Sequence, residues 1–100
     1  MTTKNLFNQI KAKQSFLCVG LDVDQDYFPV KIKDSPDNIF NFSKSIIDTT
    51  AKYCVAYKIN IAFFEAYGIE GWNSLEKVMD YLNNYYPEIF TIADAKRADI

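Results

Sequence analysis

The sequence predicts an α/β fold built on a parallel sheet, and three observations carry that prediction. Short apolar runs of strand length alternate with longer amphipathic stretches of helical period. Each short run stops at a charged residue, and the 100-residue chain contains neither a linker-like stretch nor an internal repeat. Strand, helix, strand, helix, strand is the order of two right-handed crossover units, which lay their strands parallel.

Leu6, Phe7 and Ile10 fall at helical spacing in an opening helix of modest length, which reads as a lid or end-cap. Phe16 to Leu21 is apolar on both faces and predicts a fully buried strand, ended by Asp22. After a loop, Ser35-Pro36-Asp37 predicts a helix start, because a serine hydroxyl can cap free backbone amides and proline fits the first helical position. Ile39, Phe42, Ile46 and Tyr53 mark one face of that helix, which runs to about Lys52. Cys54 to Tyr57 predicts the second strand, ending in Lys58, and Ile61 to Tyr67 a short apolar helix stopped by Gly68. Asn73 with Glu76 resembles a capping box for a further helix, striped by Leu75, Val78, Met79 and Leu82 and closed by Pro87. Ile89 to Ala93 is the third strand, with Asp94 and Lys96 arriving as it ends.

Composition narrows the function. Apolar residues at 49% with 24% charged are the balance of a soluble globular chain of at most one domain. No stretch approaches the roughly 18 to 20 apolar residues of a membrane span. The segment from Met1 to Gln14 has no apolar core of a signal peptide, so the expected location is the cytoplasm. A formal charge of -2 lacks the basic surplus that nucleic-acid binding needs. Histidine is absent, which removes Ser-His triads and zinc motifs and leaves any chemistry to Asp, Glu, Lys, Tyr or Cys. Cys18 and Cys54 lie inside apolar runs without CxxC spacing and read as reduced, buried core thiols.

Parallel α/β sheets gather ligands at the carboxyl ends of their strands. Asp22, Lys58 and the Asp94/Lys96 pair each follow an apolar run directly, so three elements project charge toward one mouth. One such residue is commonly a solubilising loop charge; coincidence at three strand ends is less common. Asp94-Ala95-Lys96 has the period-two spacing that puts both charges on one side of an extended chain, and Asp99 lies three residues on. A lysine among carboxylates suits a proton donor better than a Schiff-base amine, although the same group can be a structural ion-pair cluster. Asp22-Val23-Asp24-Gln25-Asp26 is no calcium loop, since Tyr27 and Lys33 stand where Gly and Glu are required. An alternative is a magnesium-dependent haloacid-dehalogenase-like phosphohydrolase using Asp22 and Asp24, although Asp26 stands where that signature expects Thr or Val. A third reading is a non-catalytic α/β fragment with solvated loop charges. Position discriminates, because only the enzyme at the strand ends needs Asp22, Lys58, Asp94 and Lys96 clustered.

Val19-Gly20-Leu21-Asp22, then Tyr57-Lys58-Ile59-Asn60 with Ala62-Phe63-Phe64-Glu65-Ala66-Tyr67-Gly68, then Asp94-Ala95-Lys96-Arg97-Ala98-Asp99-Ile100 resemble the orotidine 5'-phosphate decarboxylase family in its longer bacterial type. The likeness covers nearly the whole chain from Phe16 onward. 3-Keto-gulonate phosphate decarboxylases and hexulose phosphate synthases carry a similar DxKxxD, but Phe63 to Gly68 is similar to the orotidylate branch. Ile59 and Ala98 stand where the longer type often has Pro and Gly.

The resemblance implies the N-terminal β-α-β-α-β portion of a (β/α)8 TIM barrel, residues 1–100 forming one unit that stops after the third strand of a barrel of roughly 200 to 250 residues or more. It implies conversion of orotidine 5'-phosphate to uridine 5'-phosphate and carbon dioxide in de novo pyrimidine biosynthesis, with neither metal nor organic cofactor. The implied catalytic group is Lys96, Asp94, Lys58 and Asp99. Lys96 would stabilise a carbanion at pyrimidine C6 and then protonate it, with Asp94 near the substrate carboxylate holding Lys96 in place. Lys58 would bridge Asp94 and the ribose, and Asp22 would accept a hydrogen bond from a ribose hydroxyl. Asp99 would reach the neighbouring subunit's site, which implies a homodimer at full length.

Overall fold

Three strands, Leu17–Leu21 (β1), Cys54–Asn60 (β2) and Phe90–Asp94 (β3), make one parallel sheet in the order β1-β2-β3 in the computed structural model, which describes residues 2–97. That order and sense are those of successive strands in a β/α barrel. Thr3–Lys13 (α1) precedes the sheet; Val30–Lys33 (α2) and Asn38–Thr50 (α3) join β1 to β2; Ile61–Glu65 (α4) and Gly68–Tyr85 (α5) join β2 to β3.

One face of the sheet carries the core. Leu21, Tyr57 and Ile59 lie on it, fully buried against Ile39 and Ile47 of α3 and Val78 and Leu82 of α5. Each side chain of this size contributes about 1.5–3 kcal/mol when removed from water. The Tyr57 hydroxyl donates to the Ile47 carbonyl at 3.1 Å and lies 2.7 Å from Thr50 Oγ1, so the polar tip of this buried ring is satisfied by the end of α3. Burial, with Cys54 nearby, raises its pKa above that of an ordinary phenol. Outside the core, Asp48 of α3 accepts from Lys44 at 2.7 Å, from Tyr86 at 3.0 Å and from Tyr81, clasping α3 to α5. Lys77 of α5 adds a link of 2.6 Å to Asp37, the residue before α3.

Several local expectations are corrected. β1 is not fully buried: it lies at the sheet edge, its second face has no cover among the described residues, and Leu17 and Cys18 are exposed. Phe16 precedes the strand and is 86% exposed. The core-thiol expectation therefore fails for Cys18 and holds for Cys54. Ser35 does not cap α3. Its hydroxyl donates to the Ile32 carbonyl at 2.6 Å, and α3 begins after Asp37, which has φ 56° and makes no side-chain cap. The buried stripe of α3 is Ile39, Ser43 and Ile47; Phe42 and Ile46 flank it, and Tyr53 lies beyond the helix and is exposed.

Gly68 is a corner rather than a stop. Its φ of +65° turns the chain from α4 directly into α5, leaving Asn73 and Glu76 inside a helix that they do not start. α4 and α5 can meet closely because Gly71 has no side chain: a Cβ there would lie 1.8 Å from the Phe64 carbonyl oxygen. α1 is an end-cap at the amino end of β2, where Lys13 Nζ donates to the Ala51 and Cys54 carbonyls at 2.9 Å each. No residue of α1 is itself buried.

Gly71→Ala in the full-length protein is expected to cost about 1–3 kcal/mol, because the new methyl meets backbone that cannot rotate away. Denaturant unfolding reads the loss, and an unchanged midpoint would show that α4 yields freely. The isolated 100-residue chain is expected to self-associate, since β1 and β3 are both edges and one sheet face is open. Sedimentation giving a monodisperse monomer would contradict this.

Candidate active site

Register decides which side chains share the open face. Gly20 pairs with Lys58, Lys58 with Ile92, and Asn60 with Asp94. Alternation along each strand then sends Gly20, Lys58, Asn60 and Asp94 away from the helices, while Leu21, Tyr57 and Ile59 point into them. β2 runs on to Asn60, so Lys58 stands inside the strand rather than ending it, and Asp94 is the last residue of β3 rather than the first beyond it.

The structure brings Lys58, Asp94 and Lys96 together. Asp94 Oδ2 lies 3.8 Å from Lys58 Nζ and also accepts from Lys96 Nζ, so one carboxylate oxygen serves two ammonium groups. The Lys96 pairing does not come from extended chain. Ala95 packs against the core, and Lys96 has a left-handed backbone, φ 45°, that folds its side chain back to Asp94. The hydrogen bond from Lys96 holds the Asp94 carboxyl below the usual carboxylate range; the charges of Lys96 and Lys58 add to this, and desolvation opposes it.

Asp22 follows β1 on the same rim and is exposed; a Cβ built on Gly20 would lie 3.8 Å from Asp22 Oδ1. It joins none of the ion pairs among the described residues. Asp24 is engaged locally, its Oδ1 accepting from the Asp26 amide at 3.0 Å to cap the 3-10 turn Gln25–Tyr27. Among the described residues, no three His, Cys, Asp or Glu side chains are grouped to hold a metal ion. Asp99 lies outside the described residues.

Asn60 stands in the motif Tyr57-Lys58-Ile59-Asn60, where the sequence alone assigns it no role. Its Oδ1 is buried and without a hydrogen-bond partner, which is unusual for a buried acceptor. Its signal was the period-two step from Lys58. Two loops reach the site through the end of α4. Tyr67, just beyond that helix, accepts from the Gln25 amide at 2.9 Å, and Arg97 Nη2 donates to both oxygens of Glu65 at 3.1 and 3.2 Å. The arrangement offers two cations and a carboxylate between them on one open face, with the buried Asn60 amide beside them in register. Such a set can bind an anionic, hydroxyl-bearing substrate and stabilise negative charge developing next to an ammonium.

The chain matches the orotidine 5'-phosphate decarboxylase / HUMPS family over residues 15–100. A protein of Christiangramia forsetii named orotidine 5'-phosphate decarboxylase is 56% identical over 100% of this chain and 37% of its own length. One of Flavobacterium johnsoniae with the same name is 58% identical over the same shares, 100% and 37%. A crystal structure described as a putative orotidine-monophosphate-decarboxylase from Toxoplasma gondii superposes with a TM-score of 0.81 at 36% identity, covering 97% of this chain and 32% of that one. The chain thus spans a little over a third of the length of the curated relatives it matches. The fold is the β-α-β-α-β portion of the barrel that these relatives share. The matches do not favour the phosphohydrolase reading of Asp22 and Asp24.

A carboxyl whose folded pKa is depressed stabilises the fold above its unfolded pKa, and that contribution is lost as pH falls through the folded value. Asp94 is therefore expected to titrate below the ordinary aspartate value of about 3.9, and to move up in Lys96→Ala. Carboxyl 13C NMR on the full-length protein reads both. An ordinary value that ignores the substitution would mean that the cluster does not form.

Proposed function

This chain belongs to the orotidine 5'-phosphate decarboxylase / HUMPS family, and from that premise we propose that the whole protein converts orotidine 5'-phosphate to uridine 5'-phosphate and carbon dioxide in pyrimidine biosynthesis. The observation that carries the reading is the pair of lysines on one oxygen of Asp94 at the carboxyl end of the sheet. Residues 1–100 are then the first three strands and their helices of one barrel domain.

The bond from C6 to the carboxylate carbon breaks, its electron pair stays on C6, and carbon dioxide leaves. The ring cannot delocalise that pair, so the barrier falls only if a cation already stands beside C6. Lys96 is that cation, and its ammonium then gives the proton that forms the C6–H bond. Asp94 keeps both ammonium groups in fixed positions, which avoids reorganisation during the reaction. Lys58 reaches from Asp94 toward the ribose, and Asp22 accepts from a ribose hydroxyl. No step in this scheme calls on a metal or organic cofactor. Asp99 completes the partner subunit's site in a homodimer, and the enzyme works in the cytoplasm on a small nucleotide rather than on nucleic acid or a membrane. No helix among the described residues is long and apolar enough to cross a membrane.

Lys96→Ala in the full-length protein is expected to lower turnover by a factor on the order of 10⁴ or more, because charge stabilisation and proton donation are lost together. Affinity for uridine 5'-phosphate should fall far less, since ribose and phosphate contacts come from other residues. Turnover assays and calorimetry separate the two. Equal losses would make Lys96 a binding or structural group and overturn its assignment.

A further inference from the structure

The backbone of Lys96 needs an external hold. At φ 45° it occupies the left-handed region that non-glycine residues adopt rarely and at a cost, so the surroundings must fix it there. On one side Ala95 is packed against the core. On the other stands Arg97, whose Nη1 folds back to donate to the Ala95 carbonyl while Nη2 grips Glu65 through both carboxylate oxygens, at 3.1 and 3.2 Å. The guanidinium thus spans the Lys96 turn. Glu65 is the last residue of α4, the element that directly follows β2, so its carboxylate is fixed relative to the strand that carries Lys58.

We propose that Glu65 is a positioning residue, which through Arg97 holds the Ala95-Lys96-Arg97 turn so that the Lys96 ammonium stays on Asp94. The inference rests on the decarboxylase reading for its kinetic consequence and on the geometry alone for its spectroscopic one. Side-chain exposures of 34% for Glu65 and 53% for Arg97 make the pair a weak contributor to global stability. Its loss should therefore be felt where Lys96 points. Misplacing a reacting group by about 1 Å can cost on the order of 100-fold in rate.

The test uses the full-length protein with Glu65→Gln, which keeps the shape and removes the charge. The expected result is a fall in kcat of roughly 10- to 100-fold with KM changed less than about twofold, an unaltered melting temperature, and an Asp94 carboxyl that titrates closer to the ordinary aspartate range. Arg97→Ala should reproduce this, and the double substitution should be no worse than Arg97→Ala alone, because both act through one contact. Should Glu65→Gln fail to fold, Arg97→Lys takes its place, keeping the charge but losing the planar fork. Unchanged kcat with unchanged Asp94 titration overturns the proposal, as does a loss of kcat that merely follows a lowered melting temperature. If the parent protein does not decarboxylate orotidine 5'-phosphate, the functional reading fails, while the Asp94 titration still decides the positioning role.

Discussion

The pairing of Asn60 with Asp94 is the constraint on which the site depends, because side chains along a strand alternate and a slip of one residue would send Lys58 and Asp94 to opposite faces. Among the described residues the charge pairs on the open face are too weak to hold that register, since both lysines are exposed. The hold comes from behind. Tyr57 and Ile59 flank Lys58 in sequence and are buried to 0% and 1% exposure against α3 and α5. A slipped β2 would push the Lys58 ammonium among these helices and tear the Tyr57 hydroxyl from the Ile47 carbonyl. The core therefore places the charges, and the charges contribute little to the core.

The corner between α4 and α5 transmits that placement to the loops. Gly68 lets the chain turn and Gly71 lets α5 lie against the Phe64 carbonyl, which leaves Glu65 and Tyr67 close to the carboxyl ends of the strands. From there Tyr67 receives the Gln25 amide of the loop after β1, and Glu65 receives Arg97 of the loop after β3. The two outer loops hang from the element that follows the central strand. A change in glycine content at this corner would thus be felt at Gln25 and Arg97, which hang from it.

Perturbed titration does not by itself identify the site. Asp48 is held below the usual carboxylate range much as Asp94 is: burial opposes its charge, but hydrogen bonds from Lys44, Tyr81 and Tyr86 outweigh it. Burial and the same carboxylate push Tyr86 up to about 12. Yet Asp48 closes the seam between α3 and α5 and has used its bonds there, whereas Asp94 ends a strand with an open face before it. Location relative to the strand ends distinguishes a clasp from a candidate active site.

The sequence showed these locations well and the covers poorly. Charge directly after an apolar run is a local pattern, so Asp22 and Asp94 were visible at their strand ends, and Pro87 marked the close of α5. Burial is not local: Phe16 to Leu21 reads as interior because it is apolar on both faces, but only contacts from other elements decide whether each face is covered. The same reason separates Cys18 from Cys54. Gly68 looked like a helix stop because left-handed glycine usually is one, and only the close approach at Gly71 reveals a turn between two packed helices. Asn60 was missed because an amide attracts notice only when its environment denies it a partner, and that environment is tertiary. Yet its parity with Lys58 was already in the sequence. Once Lys58 is placed on the open face, the next residue on that face is Asn60, opposite Asp94 in the register of the two strands.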